Sequence, residues 1–259
     1  MNKIDRMFAE KKTGILSVYF TAGFPALDDT ACIMRTLQNA GADMIEVGIP
    51  FSDPVADGPT IQLSNKQALE NGISLKKILE QVNSIREEIS IPVLMMGYLN
   101  PVYQYGMERF CKDCADAGIS GLIIPDLPVS EYLEHYREMI ESNGLYNIFL
   151  ITPETSEKRI KEIDAISRGF IYMVSSSSTT GSTKGISEEQ VEYFKRIQKL
   201  NLKTPCMVGF GISDRESFLA ASEHARGAII GSAIIKTLKS GRDIQKDLTE
   251  FIQAVKETR

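Results

Sequence analysis

The sequence predicts an α/β fold: a (β/α)8 TIM barrel with an extra N-terminal helix, spanning residues 1–259 as a single domain. Three observations predict it. Eight short, almost continuously apolar runs recur along the chain, as strands covered on both faces must be. Stretches with the apolar spacing of amphipathic helices lie between them. No Gly-x-Gly-x-x-Gly follows the first run and no linker divides the chain, which favours closure over an open doubly wound sheet with the same βαβ grammar.

The elements follow in order. A helix over residues 3–10 precedes the first strand and is expected to cover the barrel floor. Strands are expected over residues 15–20, 44–48, 93–97, 121–124, 147–151, 170–174, 206–209 and 228–231. Between the first two, Ile33, Met34, Leu37 and Ala40 make a helical stripe; Leu75, Ile78, Leu79, Val82 and Ile85 make another before the third. The last helix carries Leu248, Phe251, Ile252 and Val255. Glycine or proline marks the junctions at Gly41, Gly72, Pro92, Gly118, Gly144 and Pro205. The segment Asn100-Pro101-Val102-Tyr103 is expected to turn.

Composition narrows the function. The 259 residues are 43% hydrophobic, enough for a sizeable core, and 29 Lys+Arg against 34 Asp+Glu leave a net charge of −5. Without a basic run, nucleic acid is a poor partner. The first six residues scatter charges where a signal peptide needs an apolar stretch, and no apolar run reaches membrane-spanning length; a cytoplasmic protein is expected. Cys111 and Cys114 form the only Cys-x-x-Cys, but with Met107 and Phe110 they complete a helical apolar stripe, and no second pair completes a zinc tetrad. The two histidines, His135 and His224, lie in helical patterns, which argues against Ser-His-Asp chemistry and a His-rich metal centre.

Barrel active sites gather at the C-terminal ends of strands. There Glu46 lies between Ile45 and Val47. A carboxylate buried in that run either holds a buried cation or is used, its pKa raised by desolvation into the range where it gives and takes a proton. Asp57, in the loop with Pro50, Pro54 and Pro59, either faces Glu46 across a ligand as the more acidic partner or caps the helix that follows. Asp53 suits a turn or a partner contact. Gly209-Phe210-Gly211 and Gly231-Ser232 follow strands seven and eight; they serve tight turns or, together with a helix starting at Ser232, a phosphate cup. Tyr19, Met96, Tyr98, Ile123, Tyr172 and Phe210 fall at strand ends, as core or as a flat apolar pocket for an aromatic ring system. The Ser- and Thr-rich stretch 175–185 is a solvated linker or a lid over that face.

At these residues the chain resembles a known family. The run from Glu46 to Gln62 closely resembles the signature of the tryptophan synthase α subunit, and matching pieces extend along the chain: Thr21-Ala22-Gly23-Phe24-Pro25, Tyr98-Leu99-Asn100, Pro125-Asp126-Leu127-Pro128, Gly209-Phe210-Gly211-Ile212 and Gly231-Ser232-Ala233-Ile234. The resemblance implies a lyase of tryptophan biosynthesis that splits indole-3-glycerol phosphate into indole and glyceraldehyde 3-phosphate. It implies no cofactor in this chain, and a pyridoxal-phosphate-dependent β subunit as partner in an α2β2 heterotetramer. By position it implies Glu46 and Asp57 as catalytic, Tyr172 and Thr180 as supporting the site, and Gly181, Gly211, Gly231 and Ser232 as phosphate-binding. Tyr19, Met96, Tyr98, Ile123 and Phe210 then line the indole pocket. One departure is Ser178, where the family's lid commonly has glycine; the loss of backbone freedom bears on closure.

The chemistry expected is a retro-aldol cleavage without metal or Schiff base, with Glu46 as acid and then base, and Asp57, ionised in its more polar loop, accepting from the indole N–H. Another phosphate-site barrel enzyme and a catalytically idle regulatory subunit are the alternatives. A metal-dependent epimerase calls for strand-end histidines and a ring-closing synthase for a strand-end lysine, and neither stands at these strand ends.

Overall fold

The apolar runs become strands wherever they can hydrogen-bond to parallel neighbours. In the computed structural model, which describes residues 1–55, 57–174, 187–209, 211–240 and 243–256, they are β1 (Ile15–Thr21), β2 (Met44–Gly48), β3 (Val93–Met96), β4 (Gly121–Ile123), β5 (Tyr146–Asn147), β6 (Phe149–Ile151), β7 (Ile171–Val174), β8 (Cys206–Gly209) and β9 (Gly227–Ile230). They form one sheet in the order β5-β4-β3-β2-β1-β9-β8-β7-β6, and every pairing is parallel.

The two ends of that order are one stretch of chain. Only Ile148 separates β5 from β6, and its N–H donates to the Leu122 carbonyl at 2.8 Å. The sheet therefore closes on itself, and the fifth strand, expected as one element, is divided. Its first half pairs with β4 and its second half with β7, so the break falls where the strand passes from one neighbour to the other.

Side-chain alternation separates two apolar layers. Leu16, Val18 and Phe20 of β1, with Ile45 and Val47 of β2, pack outward in a layer that includes Ile33 and Leu37 of the helix Thr30–Ala40. Ile15, Met44, Leu94, Ile123, Phe170 and Met207 point into the barrel. The helix Lys3–Glu10 forms where the sequence places it and inserts Ile4 and Met7 into this inner layer. It is tied down by the Asn2 side chain, which accepts from the Ile4 N–H at 2.9 Å and donates to the carbonyls of Ser120 and Gly144 at 2.8 and 3.0 Å. The far end of the chain closes on the same region, since Asp43 accepts from both Lys11 at 2.7 Å and Lys256 at 3.0 Å.

Two local expectations are corrected. Residues 100–103 belong to a helix, Leu99–Tyr105, not a turn. Pro101 sits in its first turn, where the missing N–H would have had no helical partner. His224 lies in a turn beyond the helix Arg215–Ser222, while His135 falls in a π-helical segment, Tyr132–Tyr136. Cys111 and Cys114 are fully buried in the helix Met107–Asp116, and burial raises both thiols above their usual range, as expected of core residues.

Candidate active site

The register of β1 and β2 builds the centre of the site. Tyr19 pairs with Glu46 and Ser17 with Met44, so alternate residues of β1 and Glu46 of β2 share the inner face. Glu46 is completely buried. Its Oε1 accepts from the Ser17 hydroxyl at 2.7 Å, and its Oε2 has no hydrogen-bond partner among the described residues. The buried-cation alternative does not hold among them, since no Lys, Arg or His side chain pairs with this carboxylate. Burial raises its pKa to about 7, with the Ser17 hydrogen bond pulling the other way.

Asp57 stands in the loop beyond β2. The helix that follows, Pro59–Glu70, is entered through Gly58 with proline at its start, so Asp57 is not its cap. Its carboxylate instead accepts from Asn65 Nδ2 at 3.3 Å, and its main-chain carbonyl from Gln62 Nε2 at 2.7 Å. Both donors come from that helix, which thereby holds the loop over the barrel mouth. The sequence expects Asp57 to be ionised in a loop more polar than the surroundings of Glu46. Burial pushes this carboxyl up, and the Asn65 amide opposes the rise.

Tyr19 and Tyr172 link the two acids. Burial raises both phenols, and each is raised further by the negative charge of Asp57 and of Glu46. The four groups therefore share one electrostatic environment. Room for the two rings depends on glycine: a Cβ at Gly48 would collide with the Tyr19 phenol, and one at Gly209 with that of Tyr172. Met96 and Ile123 are register partners at the ends of β3 and β4, with Met96 packed on the inner apolar layer. Tyr98 follows β3 and lies against Phe51, ring centroids 5.4 Å apart. Its phenol also acts on that of Tyr19, which brings it to the same group.

The expected phosphate positions flank this cluster. Gly231 connects β9 to the helix Ser232–Ser240, and a Cβ there would lie 3.3 Å from the Tyr19 ring, so the backbone passes close beside that side chain. Ser232 is exposed at the helix start, and Gly211, just past β8, has a φ of +77° suited to glycine. Thr180, Gly181 and Phe210 lie outside the described residues, as does the stretch 175–185. Among the described residues no group of three or more His, Cys, Asp or Glu side chains is arranged to hold a metal.

The family model described as "Tryptophan synthase alpha chain" matches residues 6–259. The chain belongs to the tryptophan synthase alpha chain family. It is 56% identical over 238 residues to the tryptophan synthase alpha chain of Flavobacterium psychrophilum, covering 92% of this chain and 94% of that one. With that of Bacteroides thetaiotaomicron it shares 53% identity over 256 residues, 99% and 100% of the two chains. The crystal structure of tryptophan synthase subunit alpha from Legionella pneumophila superposes with a TM-score of 0.87 at 34% identity, over 98% of this chain and 97% of that one. The chain is accordingly a lyase of tryptophan biosynthesis, cleaving indole-3-glycerol phosphate to indole and glyceraldehyde 3-phosphate.

Sequence reasoning missed two residues at this site. Ser17 was legible as the residue two before Tyr19, and hence on the same face of β1. Asn65 carried a weaker signal, one helical turn beyond Ile61 on a helix whose contacts the sequence does not reveal.

Proposed function

We propose that Glu46 and Asp57 carry the cleavage, within one barrel unit spanning residues 1–259. The observation that supports this most directly is the state of Glu46: buried, with no cation and no partner for one oxygen among the described residues, and a pKa raised by burial to about 7. A carboxyl at that value is available in both protonation states at neutral pH. As the acid it protonates the indole C3, giving an indolenine-like ring. As the carboxylate it takes the proton of the glycerol hydroxyl next to the scissile bond. The carbon–carbon bond then breaks, its electron pair returns to the ring, and Glu46 is again protonated. Asp57 accepts from the indole N–H and stabilises the positive charge that C3 protonation places on the ring. Tyr19, Met96, Tyr98, Ile123 and Phe210 hold the indole, and Tyr172 and Thr180 support the site.

Gly181, Gly211, Gly231 and Ser232 hold the phosphate, far from the reacting carbon, where binding energy fixes the substrate's position. Because the φ of Gly211 would strain any side chain there, the cleaner probe is Ser232→Asp, exposed at a helix start where an acidic residue suits folding. A negative charge there opposes the phosphate, so KM should rise at least ~10-fold with kcat little changed. Unaltered KM would remove Ser232 from the phosphate site.

The partner is the β subunit, in a cytoplasmic α2β2 heterotetramer. Pyridoxal phosphate belongs to that subunit, and the cleavage draws on no cofactor from this chain. Two exposed apolar side chains support this assignment: Val55 in the Asp57 loop is 91% exposed and Tyr103 in the helix Leu99–Tyr105 is 65% exposed, in the segments that follow β2 and β3. Asp53 and Pro54 immediately precede Val55 in that loop. The decisive experiment is indole release from indole-3-glycerol phosphate with and without β subunit, paired with sedimentation in the presence and absence of glycerol phosphate. Turnover should rise on adding β subunit, and ligand should tighten the complex, because coupling between two sites is reciprocal. A chain that stays alone and turns over at one rate throughout would refute the partner assignment. Absence of indole in every mixture would refute the catalytic one.

A further inference from the structure

Ser17 has no structural reason to be polar. It is fully buried on β1 at the level of Met44, with Ile15 and Leu94 also in the apolar layer that fills the lower barrel. A hydroxyl in such a layer is costly unless it is hydrogen-bonded, and among the described residues its side chain makes a single hydrogen bond, to Glu46 Oε1 at 2.7 Å. Tyr19 is the register partner of Glu46, so Ser17 lies one inward-facing step deeper on the same strand and approaches the carboxylate from the floor side. The other titratable groups that interact with that carboxylate are the phenols of Tyr19 on β1 and Tyr172 on β7.

We propose that Ser17 is a positioning residue for the cleavage, anchoring Glu46 through Oε1 so that Oε2 alone exchanges protons with substrate; this rests on the acid–base reading of Glu46 given above. The hydroxyl has one proton and gives it to Oε1. The acid form of Glu46 then carries its proton on Oε2, the oxygen left unpartnered. Both proton transfers of the cleavage pass through that atom, first outward to the indole C3 and then inward from the glycerol hydroxyl. A carboxyl free to rotate would present either oxygen, and reacting groups out of alignment react slowly. The same donor favours the ionised form and so limits how far burial raises the pKa.

Ser17→Ala removes the hydroxyl with almost no change in volume. It should lower kcat roughly 10-fold with KM within about twofold, the pattern of a contact that matters after substrate is bound. It should also move the limb of the kcat/KM pH profile set by Glu46 upward by roughly one pH unit, because the charged form has lost its donor. A purely structural role would lower the melting temperature and leave that limb in place. Ser17→Thr keeps the hydroxyl and should return the limb towards its original position. A carboxyl titration of Glu46 by carbon-13 NMR, assigned with Glu46→Gln, reads the same shift without turnover. An unmoved titration in Ser17→Ala, or a kcat equal to or above that of the unchanged protein, overturns the inference. If instead Glu46→Gln itself retains normal indole release, the acid–base reading fails, while the NMR shift still reports whether Ser17 holds Glu46.

Discussion

Glu46→Gln should lower indole release by at least ~10²-fold, the usual contribution of a positioned general acid–base group, while KM changes little. Glutamine keeps the volume and can still accept from Ser17, so the barrel should fold and the phosphate should bind. What disappears is the proton that shuttles between ring carbon and glycerol hydroxyl. The substitution also has a signature that does not depend on activity. The Glu46 pKa is raised from 4.5 to about 7, so the folded protein holds that proton more tightly than the unfolded chain does. The stability this supplies is complete below about pH 4.5 and is lost as pH rises through about 7. Glutamine does not titrate, so the melting temperature of the variant relative to the parent should climb between those limits. The span corresponds to at most roughly 3 kcal/mol. A difference that stays flat from pH 4.5 to 8 would show that Glu46 is not the buried titrating group. Near-normal turnover would show that it is not the proton carrier.

The contrast between Glu46 and its neighbours indicates what a sequence can and cannot reveal here. Glu46 stands out because it is an ionisable residue inside an otherwise apolar run, a pattern visible along the chain alone. The floor helix was legible for a similar reason, since Ile4 and Met7 repeat at helical spacing ahead of the first strand. The division of the fifth strand at Ile148 was not legible. It reflects which neighbours that strand meets on each side, a property of closure rather than of local sequence. The misread turn at Asn100-Pro101 has a different origin: proline both breaks helices and starts them, and only position within the element separates the two. The contacts of Asp57 were not legible, because a loop rich in proline and aspartate does not show which element packs against it. The helix Pro59–Glu70 folds back over it and supplies Asn65.

Asp57→Asn should be comparably damaging, with turnover reduced by ~10²- to 10³-fold, the range seen when one preorganised electrostatic contact to a developing charge is removed. Protonation of the indole at C3 makes the ring cationic, and only a negative group at its nitrogen stabilises that species more than the neutral substrate. Asparagine retains an oxygen to accept from Asn65 Nδ2, so the loop should keep its anchor. It lacks the charge. Burial is the larger influence on this carboxyl and raises its pKa, so the ionised form is the costly one, and a neutral amide should not lower the melting temperature at neutral pH. The rise at Glu46 comes from its own burial, opposed by Ser17, and Asp57 is not among its causes. The residual activity of Asp57→Asn should therefore keep the pH limb set by Glu46, whereas Glu46→Gln should abolish it. Indole release measured from pH 5 to 9 on both variants separates the two roles. A limb displaced in Asp57→Asn would mean that the carboxyls titrate as a pair, and turnover near that of the parent would leave the ring nitrogen without its proposed partner.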